Sequence, residues 1–325
     1  MISRRTLLIS AVGSRLAAKS GRHFQHFRKH AMLSTFEKVA ENLQFPEGPA
    51  WNGRDALFCS NCSADYITRV DLHNNSSIAF RAGDATGTFR FEKTNGMTFY
   101  QDGSLVACDF GRNAIVRIKP SGVCSEVART IGGRPLEAPN DLAFDPHGNL
   151  YVTCPGGSGK ANPVGRIYRI AHGANTVSQV AADMAFPNGL AFSADGKVLF
   201  VAESQHNRIV RFRVNDDGSL GDLEPFADLS PAGNGEPDGL NLDIAGNLWI
   251  AHYGAHQVLV VDTSGHIAKT IPLAHNSDGG PTNVEFGGPQ MDLLFVTDPG
   301  AACLWRAHVD TPGLRLFCSP KDQGY

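Results

Sequence analysis

The fold is indicated first by residues 186–204, which read FPNGLAFSADGKVLFVAES. This stretch joins a Pro-Asn-Gly turn to a short apolar run, a polar turn at 193–197 and a second run rich in β-branched and aromatic residues. Gly196 stands where such a turn needs a positive φ, so the pattern predicts a β-hairpin. The alternating run RIVRFRV at 208–214 predicts another strand, which ends at the turn at 216–218. One unit is therefore expected to be a four-stranded meander.

The turn that opens this unit recurs along the chain. Its copies begin at Pro46, Thr94, Pro139, Pro187, Pro237 and Pro281. The next residue in each copy falls at 47, 95, 140, 188, 238 and 282, which gives steps of 48, 45, 48, 50 and 44 residues. Such a period, with four strands per unit, is typical of propeller blades. We therefore predict an all-β fold, a six-bladed β-propeller of four-stranded blades. Two stacked β-sandwiches are the alternative, but they give no reason for equivalent turns.

The composition is that of a globular chain rich in turns. The 325 residues are 42% hydrophobic and 19% charged, and they include 35 glycines and 18 prolines. Because the formal net charge is −3 and no basic face is evident, a nucleic-acid partner is not expected. No run of 18 apolar residues occurs, so no membrane span is expected either. We expect a monomer or a small homo-oligomer.

Residues 1–31 differ in character from the rest of the chain. They begin with a twin-arginine pattern, SRRTLL at 3–8, which resembles the start of a twin-arginine export signal. Arg15 and Lys19 interrupt the apolar part of that pattern, and the segment also resembles an organelle transit peptide. A third interpretation takes Met32 as the true start. In each case residues 1–31 are predicted to be disordered and outside the fold, and residues 32–325 to form the single propeller domain.

Cysteine usage bears on the compartment. The seven cysteines are odd in number and irregularly spaced. Cys59 and Cys62 form a C-x-x-C pattern, but no second pair completes a zinc site. Free thiols fit a reducing interior better than an oxidising compartment. A cytoplasmic location is therefore predicted, with export by the leader as the alternative.

The six opening turns should converge at one mouth of the propeller channel, because each leads into an innermost strand. Their oxygen-bearing residues are Glu47, Asn95, Asn140 with Asp141, Asn188, Asp238 and Asn283. The set contains no His or Cys, so it disfavours a soft metal and favours a divalent cation bound by oxygen, with Ca²⁺ first and Mg²⁺, Mn²⁺ or Zn²⁺ as alternatives. Asn and Asp are also common turn residues, so several of these side chains have an equally good structural explanation. Glu47 does not, since Glu is not a turn former.

At these turns the sequence resembles the senescence marker protein (regucalcin)/gluconolactonase family. The matching blocks are FPEGPAW at 45–51, PND at 139–141, FPNGL at 186–190 and PDG at 237–239 with NLWIA at 247–251. The resemblance covers roughly residues 36–320. It implies a six-bladed propeller with one divalent metal in its channel, and lactone hydrolysis as the activity.

The resemblance also implies roles for particular residues. Glu47, Asn188 and Asp238 would hold the metal, and Asp238 would act as the catalytic acid and base. Asn140 would lie beside the metal, as a ligand or a substrate contact. One difference is Ala138, where the animal sugar-lactonase members of the family carry arginine. The resemblance therefore leaves open which lactone is the substrate.

The chemistry agrees with this assignment independently of the family. Opening a lactone requires an electrophile at the carbonyl oxygen and an activated water, and one metal ion can supply both. A carboxylate beside the metal can accept the proton of that water, and Asp238 is the best candidate. Substrate contacts are predicted for Asn140, Asp141 and His252. Two alternatives remain open, a phosphotriesterase-type hydrolase with the same metal and a non-catalytic metal-binding propeller.

Overall fold

The computed structural model describes residues 35–81, 89–173, 176–273 and 279–320. These residues form six four-stranded antiparallel sheets and one two-stranded hairpin. The innermost strands of successive sheets lie in contact, and that of the first sheet also contacts that of the sixth, so the sheets form a ring. The predicted six-bladed β-propeller is thereby confirmed. The prediction made for residues 1–31 lies outside the described residues.

The strands follow the chain blade by blade. Strand β1 is Glu37–Glu41. The first blade contains β2 Pro46–Trp51, β3 Ala56–Asn61, β4 Tyr66–Asp71 and β5 Ser77–Arg81. The second contains β6 Thr94–Phe99, β7 Leu105–Asp109, β8 Ala114–Ile118 and β9 Cys124–Ala128, and is followed by the hairpin of β10 Thr130–Ile131 and β11 Arg134–Pro135. The third contains β12 Leu142–Phe144, β13 Leu150–Cys154, β14 Gly165–Ile170 and β15 Val177–Met184.

The remaining blades have the same plan. The fourth contains β16 Pro187–Phe192, β17 Val198–Glu203, β18 Arg208–Arg213 and β19 Glu224–Asp228. The fifth contains β20 Glu236–Leu242, β21 Leu248–Tyr253, β22 Gln257–Val261 and β23 Ile267–Pro272. The sixth contains β24 Asn283–Gly287, β25 Leu293–Asp298 and β26 Cys303–His308. Short 3₁₀ turns occur at Ser204–His206 and Ser230–Ala232, and no helix in the described ranges is long and apolar enough to cross a membrane.

The hairpin at residues 186–204 forms as its sequence predicts. The backbone N–H of Ser193 donates to Val198 O at 2.8 Å, and that of Gly196 donates to Ser193 O at 2.8 Å. Gly196 has a φ of 70°, which glycine adopts without strain. Strand β16 nevertheless starts at Pro187, before the apolar run, and its register with β17 shifts between Pro187 and Leu190. The Pro-Asn-Gly turn is thus the bulged first part of the inner strand.

The core lies between neighbouring blades, where the strand faces pack on each other. Aromatic pairs mark several of these interfaces: Phe58 with Phe99, Tyr151 with Phe192, and Trp249 with Phe286. Their ring centroids are 5.1–5.7 Å apart and the rings meet edge to face. This is a favourable geometry for aromatic side chains. Each pair joins two consecutive blades and so holds the ring together.

The ring is closed by a strand from the start of the fold. Strand β1 pairs antiparallel with β26, and Glu37 lies opposite Arg306 while Glu41 lies opposite Cys303. Although residues 37–41 directly precede the first blade in the chain, they complete the sixth blade. Such pairing cannot be read from local pattern, since its partners are more than 250 residues apart in the chain.

The opposite end of the channel is covered by the last described segment of the chain. Gly313 forms a β-bridge with Asp243, and the N–H of Leu314 donates to Leu242 O at 2.8 Å. Phe317 packs on Phe192, with ring centroids 6.4 Å apart. The channel is therefore accessible mainly from the end at which the inner strands begin.

Candidate active site

The inner strands begin with an irregular turn that brings polar residues to the channel mouth. In four of the six inner strands the register with the second strand shifts, just after Glu47, Thr94, Pro187 and Pro237. A bulge of this kind changes the direction of the side chains beside it. A Cβ on Gly48 would lie 2.2 Å from Asn95 O, and one on Gly189 would lie 2.5 Å from Asp238 O. Only glycine permits neighbouring strands to approach this closely, so the mouth is narrow.

Buried hydroxyl groups hold the turns of neighbouring blades together. The bonds run from Ser60 Oγ to Asn95 O (2.6 Å), from Thr153 Oγ1 to Asn188 O (2.7 Å), from Ser204 Oγ to Pro237 O (2.6 Å) and from Thr282 Oγ1 to Pro46 O (2.9 Å). All four hydroxyl-bearing residues are buried. Because a buried donor or acceptor is costly to leave unpaired, these bonds hold the site residues in place.

The mouth carries buried carboxyl groups whose ionisation is disfavoured. Glu47 is 5% exposed, and burial, together with the nearby Asp141 carboxylate, raises its pKa to about 8. Burial raises the pKa of Asp141 to about 7. The pKa of half-buried Asp238 is raised well above its usual value by burial and then by the charges of Glu47 and Asp141. The charge of Asp141 thus opposes the ionisation of Glu47 and of Asp238, and the charge of Glu47 also opposes that of Asp238.

A cation would relieve this repulsion, so the residues fit a metal site. None of the ion pairs among the described residues includes Glu47, Asp141 or Asp238. Carboxylate and amide oxygens are the ligands that hard divalent cations prefer. In the described part of the chain no three His, Cys, Asp or Glu side chains are grouped as a metal site. The predicted set has only two such side chains, because its third member is the amide of Asn188.

Asn188 lies between the fourth and fifth blades and contacts both. Its Nδ2 donates to Ser204 Oγ at 3.2 Å, and its side chain also hydrogen-bonds to the Asp238 carboxylate. That bond favours the ionised form of Asp238 and opposes the rise in its pKa. An amide turned by 180° has the same shape and presents oxygen in place of nitrogen. Asn188 can therefore donate an N–H to a carboxylate or, after the amide has turned, present its oxygen to a cation.

The other predicted residues of the third blade occupy two levels of the channel. Asn140 is 7% exposed and belongs to the mouth, where its backbone oxygen accepts from Gly96 N at 2.8 Å. Asp141 lies one residue further in, and its Oδ1 accepts from Leu142 N at 2.9 Å. Leu190 N and the Asn283 side chain also bond to this carboxylate. A substrate contact by either residue stays a prediction.

His252 is fully buried behind the fifth blade's opening turn. Its Nε2 donates to Asn207 Oδ1 at 2.9 Å, and its Nδ1 accepts from Gln257 Nε2 at 3.0 Å. Burial lowers its pKa to about 4, so the ring is neutral at pH 7. Both ring nitrogens of His252 therefore already have hydrogen-bond partners. Since His252 lies opposite Pro237 in the strand pair, these hydrogen bonds support the turn that contains Pro237. Its predicted contact with substrate remains untested.

The sixth blade shows why the turns are hard to align by sequence. The N–H of Gly239 donates to Thr282 O at 2.8 Å, as the N–H of Gly96 does to Asn140 O. Thr282 is therefore the residue equivalent to Asn140, and Asn283 is equivalent to Asp141. The spacing of 44 residues from Asp238 already pointed to position 282. The search for oxygen-bearing side chains instead indicated Asn283, which lies one residue deeper in the channel than Thr282.

Sequence reasoning missed a polar pair deeper in the channel. Glu285 is 5% exposed, and its Oε2 accepts from Asn241 Nδ2 at 3.2 Å. Both residues, together with Asp141, line a cavity of about 50 Å³ that is closed by the segment 314–317. Burial raises the pKa of Glu285 well above its usual value. One signal for this pair was present in the sequence, because Asn241 and Glu285 are polar residues at equivalent buried positions of the fifth and sixth inner strands.

Fold and site together define a class, a propeller with carboxyl and amide groups at the open end of its channel. Residues 45–299 match the family model described as "SMP-30/Gluconolactonase/LRE-like region". The chain therefore belongs to this family, as its sequence blocks indicated.

Individual relatives agree with the family assignment. "Lactonase drp35" of Staphylococcus aureus is 34% identical over 143 residues, a match that spans 43% of this chain and 43% of that protein. The chain thus covers less than half the length of this relative. A solved structure described as a gluconolactonase of Xanthomonas campestris is 26% identical and covers 85% of this chain and 89% of its own, with a TM-score of 0.72. A calcium-binding regucalcin of Agrobacterium tumefaciens is 19% identical, covers 89% of this chain and 99% of its own, and has a TM-score of 0.71, which supports the fold alone.

Proposed function

We propose that this protein is a metal-dependent hydrolase that opens the ring of a small lactone. The observation that carries the proposal is the pair of carboxyl residues Glu47 and Asp238 at the channel mouth, each with a raised pKa and with no described cationic side chain as a partner. Relatives named lactonase and gluconolactonase support the reaction class. We infer that Glu47, Asn188 and Asp238 would hold one divalent cation, with Ca²⁺ the best match to their oxygen atoms.

When bound, such a cation polarises the lactone carbonyl and lowers the pKa of water. The chain's own residues have complementary tasks. Asp238, half-buried and reachable from the mouth, accepts a proton from water as the water oxygen bonds to the carbonyl carbon. It then returns that proton to the ring oxygen as the C–O ester bond breaks, and the product is an open-chain hydroxy acid. In the metal-free protein Asn188 hydrogen-bonds to the Asp238 carboxylate, and in the proposed reaction Asn140 would contact the substrate.

A lactone panel tests this proposal directly. The protein is stripped with a chelator and assayed with lactones and with phosphotriesters, alone and after addition of Ca²⁺, Mg²⁺, Mn²⁺ or Zn²⁺. We expect lactone hydrolysis that disappears with the chelator and returns with one of the cations. Metal-dependent cleavage of phosphotriesters alone would replace the lactonase by the alternative hydrolase, and inertness to both classes would favour the binding propeller.

The metal ligands are tested by substitution. Glu47→Gln or Asn188→Ala removes a ligand oxygen or the group that presents it, so bound metal and activity should fall together. The rise in melting temperature that the cation causes should shrink as well, because binding to the native state is weakened. Unchanged metal content in both variants would place the cation elsewhere.

A further inference from the structure

Two aromatic residues at the channel mouth have strained backbone conformations. Phe45 and Phe186 each precede the proline that opens an inner strand, and their φ angles are 54° and 62°. Bulky L-residues rarely adopt this left-handed region, and a following proline restricts them further towards extended conformations. At the equivalent position of the sixth blade stands Gly280, with a φ of 99° that glycine adopts easily. The chain thus keeps phenylalanine at two positions where glycine would be less strained.

The surrounding structure imposes these conformations. Buried side chains accept hydrogen bonds from the two turns, and neighbouring backbone groups bond to the strained residues themselves. The bonds run from Gln44 N to Asn61 Oδ1 (2.8 Å), from Cys62 N to Phe45 O (2.9 Å), from Ala185 N to Glu203 Oε1 (2.8 Å), from Phe186 N to Ser158 Oγ (2.9 Å) and from Ser204 N to Phe186 O (3.1 Å). Strain that is held by buried partners in this way is commonly found at functional sites.

The positions of the two rings relate them to the site. Phe45 lies two residues before Glu47, and Phe186 lies two residues before Asn188. They belong to the first and fourth blades, which are on opposite sides of a ring of six. Phe45 is 41% exposed and Phe186 is half-buried, so Phe45 in particular contributes little to the core. Ala138, two residues before Asn140, adds a third apolar side chain with a φ of 54°.

We propose that Phe45 and Phe186 form an apolar clamp across the mouth, and that the substrate is a lactone with an aromatic or alkyl substituent. This inference rests on the proposed lactonase function. A hydrophobic ring substituent would be buried between the two aromatic rings and removed from water. A polyhydroxylated lactone would instead have to place hydroxyl groups against phenylalanine, where they lose hydrogen bonds to water.

Two five-membered lactones test the substrate class with the metal-loaded protein. They are 5-phenyl-γ-butyrolactone and D-galactono-1,4-lactone, and each kcat/KM is divided by the uncatalysed hydrolysis rate constant of the same lactone. We expect the ratio for the phenyl lactone to be larger by about tenfold or more, since a single apolar contact is worth roughly ten- to hundredfold. An equal or larger ratio for the polyhydroxylated lactone would overturn the inference.

Glycine substitutions test the two rings without adding strain. In Phe45→Gly and Phe186→Gly, kcat/KM for the phenyl lactone should fall about tenfold or more, while the value for the galactonolactone stays within about threefold. Ile244→Ala is the control, because Ile244 is 63% exposed and follows the far end of an inner strand. It should change neither value. An equal fall for both lactones in the glycine variants would show a structural role for the rings and would contradict the clamp.

A lactam separates failure of this inference from failure of the proposed function. If the protein hydrolyses no lactone at all, the lactonase proposal fails. The clamp is then tested by calorimetry with 5-phenyl-2-pyrrolidinone. Binding that is about tenfold weaker in the glycine variants would support the clamp, whereas absence of binding to the parent protein would overturn it.

Discussion

At the scale of single residues, the candidate site depends on charges placed where water solvates them poorly. Glu47, Asp141 and Glu285 are each between 5% and 8% exposed. A carboxylate in such surroundings is less stable than in water, and its pKa rises unless a positive charge is near. Raised values in a group of neighbouring carboxyls are common at functional sites. This is the physical basis for treating the channel mouth as a cation site.

Replacement of Asp238 tests the proposal that it accepts a proton from water. Asp238→Asn keeps the shape and one oxygen but removes the carboxylate, and an amide cannot accept a proton in its place. At saturating metal, we expect kcat to fall by about a hundredfold to ten-thousandfold. Asp195→Asn, at an exposed hairpin turn, is the matched control and should leave kcat unchanged. Full turnover in Asp238→Asn, measured at equal metal occupancy, would assign the proton transfer to another group.

The pKa of Glu47 predicts how the stability of the metal-free protein depends on pH. Its folded value of about 8 exceeds the ordinary value of 4.5, so the folded state favours the protonated group. Its contribution to stability is therefore complete below pH 4.5 and is lost as the pH rises towards 8. We expect the melting temperature in chelator to fall across this range, and to fall less in Glu47→Gln, whose amide cannot ionise. Saturating cation should also reduce the fall.

Calorimetry at several pH values checks this prediction. Asp141 has a pKa raised to about 7 and contributes in the same direction, so some slope should remain in the variant. Equal slopes for the parent and Glu47→Gln would show that Glu47 titrates normally.

At the scale of the element, the opening turn of a blade is the first part of its inner strand, and it is held in place by a residue of the neighbouring strand. In the fourth blade the support is Glu203, which is 1% exposed. Its carboxylate accepts from Ala185 N at 2.8 Å and from Arg208 Nε at 2.6 Å. The strand β17 thus carries the acceptor that holds the turn before Asn188. A residue that does not itself belong to the candidate site, such as Glu203, can therefore alter the position of Asn188 by holding the backbone before it.

Removal of this support should destabilise the protein strongly. Glu203→Ala leaves a backbone N–H and the Arg208 guanidinium without their buried partner, so the free energy of unfolding should fall by about 2–4 kcal/mol. Glu224→Ala is the control, because Glu224 and Arg211 form a pair whose side chains are 60% and 44% exposed. Such surface pairs contribute roughly 0–1 kcal/mol. Denaturant unfolding measures both, and equal losses would contradict the support role.

At the scale of the whole molecule, the ring depends on one pairing between distant parts of the chain. Strand β1 covers the outer edge of β26, and Val39 and Ala40 pack into the core cluster that contains Trp305. The edge strand would otherwise present unpaired backbone groups. Because β1 pairs with β26 of the sixth blade and leads directly into β2 of the first blade, it links the first and last blades.

Two truncations test the closure and the domain boundary. Deletion of residues 1–31 removes nothing that the repeat requires, so we expect a folded and active protein. Deletion of 1–41 also removes β1, and we expect a clear fall in melting temperature together with a gain in aggregation. Thermal unfolding and light scattering provide the measurements. Loss of folding in the shorter deletion would contradict the proposed boundary, and equal melting of both truncated proteins would show that closure contributes little.

The amino-acid sequence by itself determined the architecture and the opening turns from which the candidate site is built. Turns with Pro, Asn, Asp and Gly, followed by runs in which apolar and polar residues alternate, are local signals. Because the same signals recur in each repeat, they are easier to recognise. They were enough to predict the number of blades, the hairpin at 186–204 and the turns that contain Glu47, Asn188 and Asp238. These predictions succeeded because turn chemistry and strand periodicity act over a few residues.

Only the tertiary structure decided which equivalent residues share a level of the channel and which strand closes the ring. Thr282 rather than Asn283 aligns with the mouth, Glu285 and Asn241 meet across two blades, and β1 joins β26. The strain of Phe45 and Phe186 was also invisible in the sequence, because it is imposed by bonds to other segments. In each case the cause is contact between residues far apart in the chain, which no local pattern records.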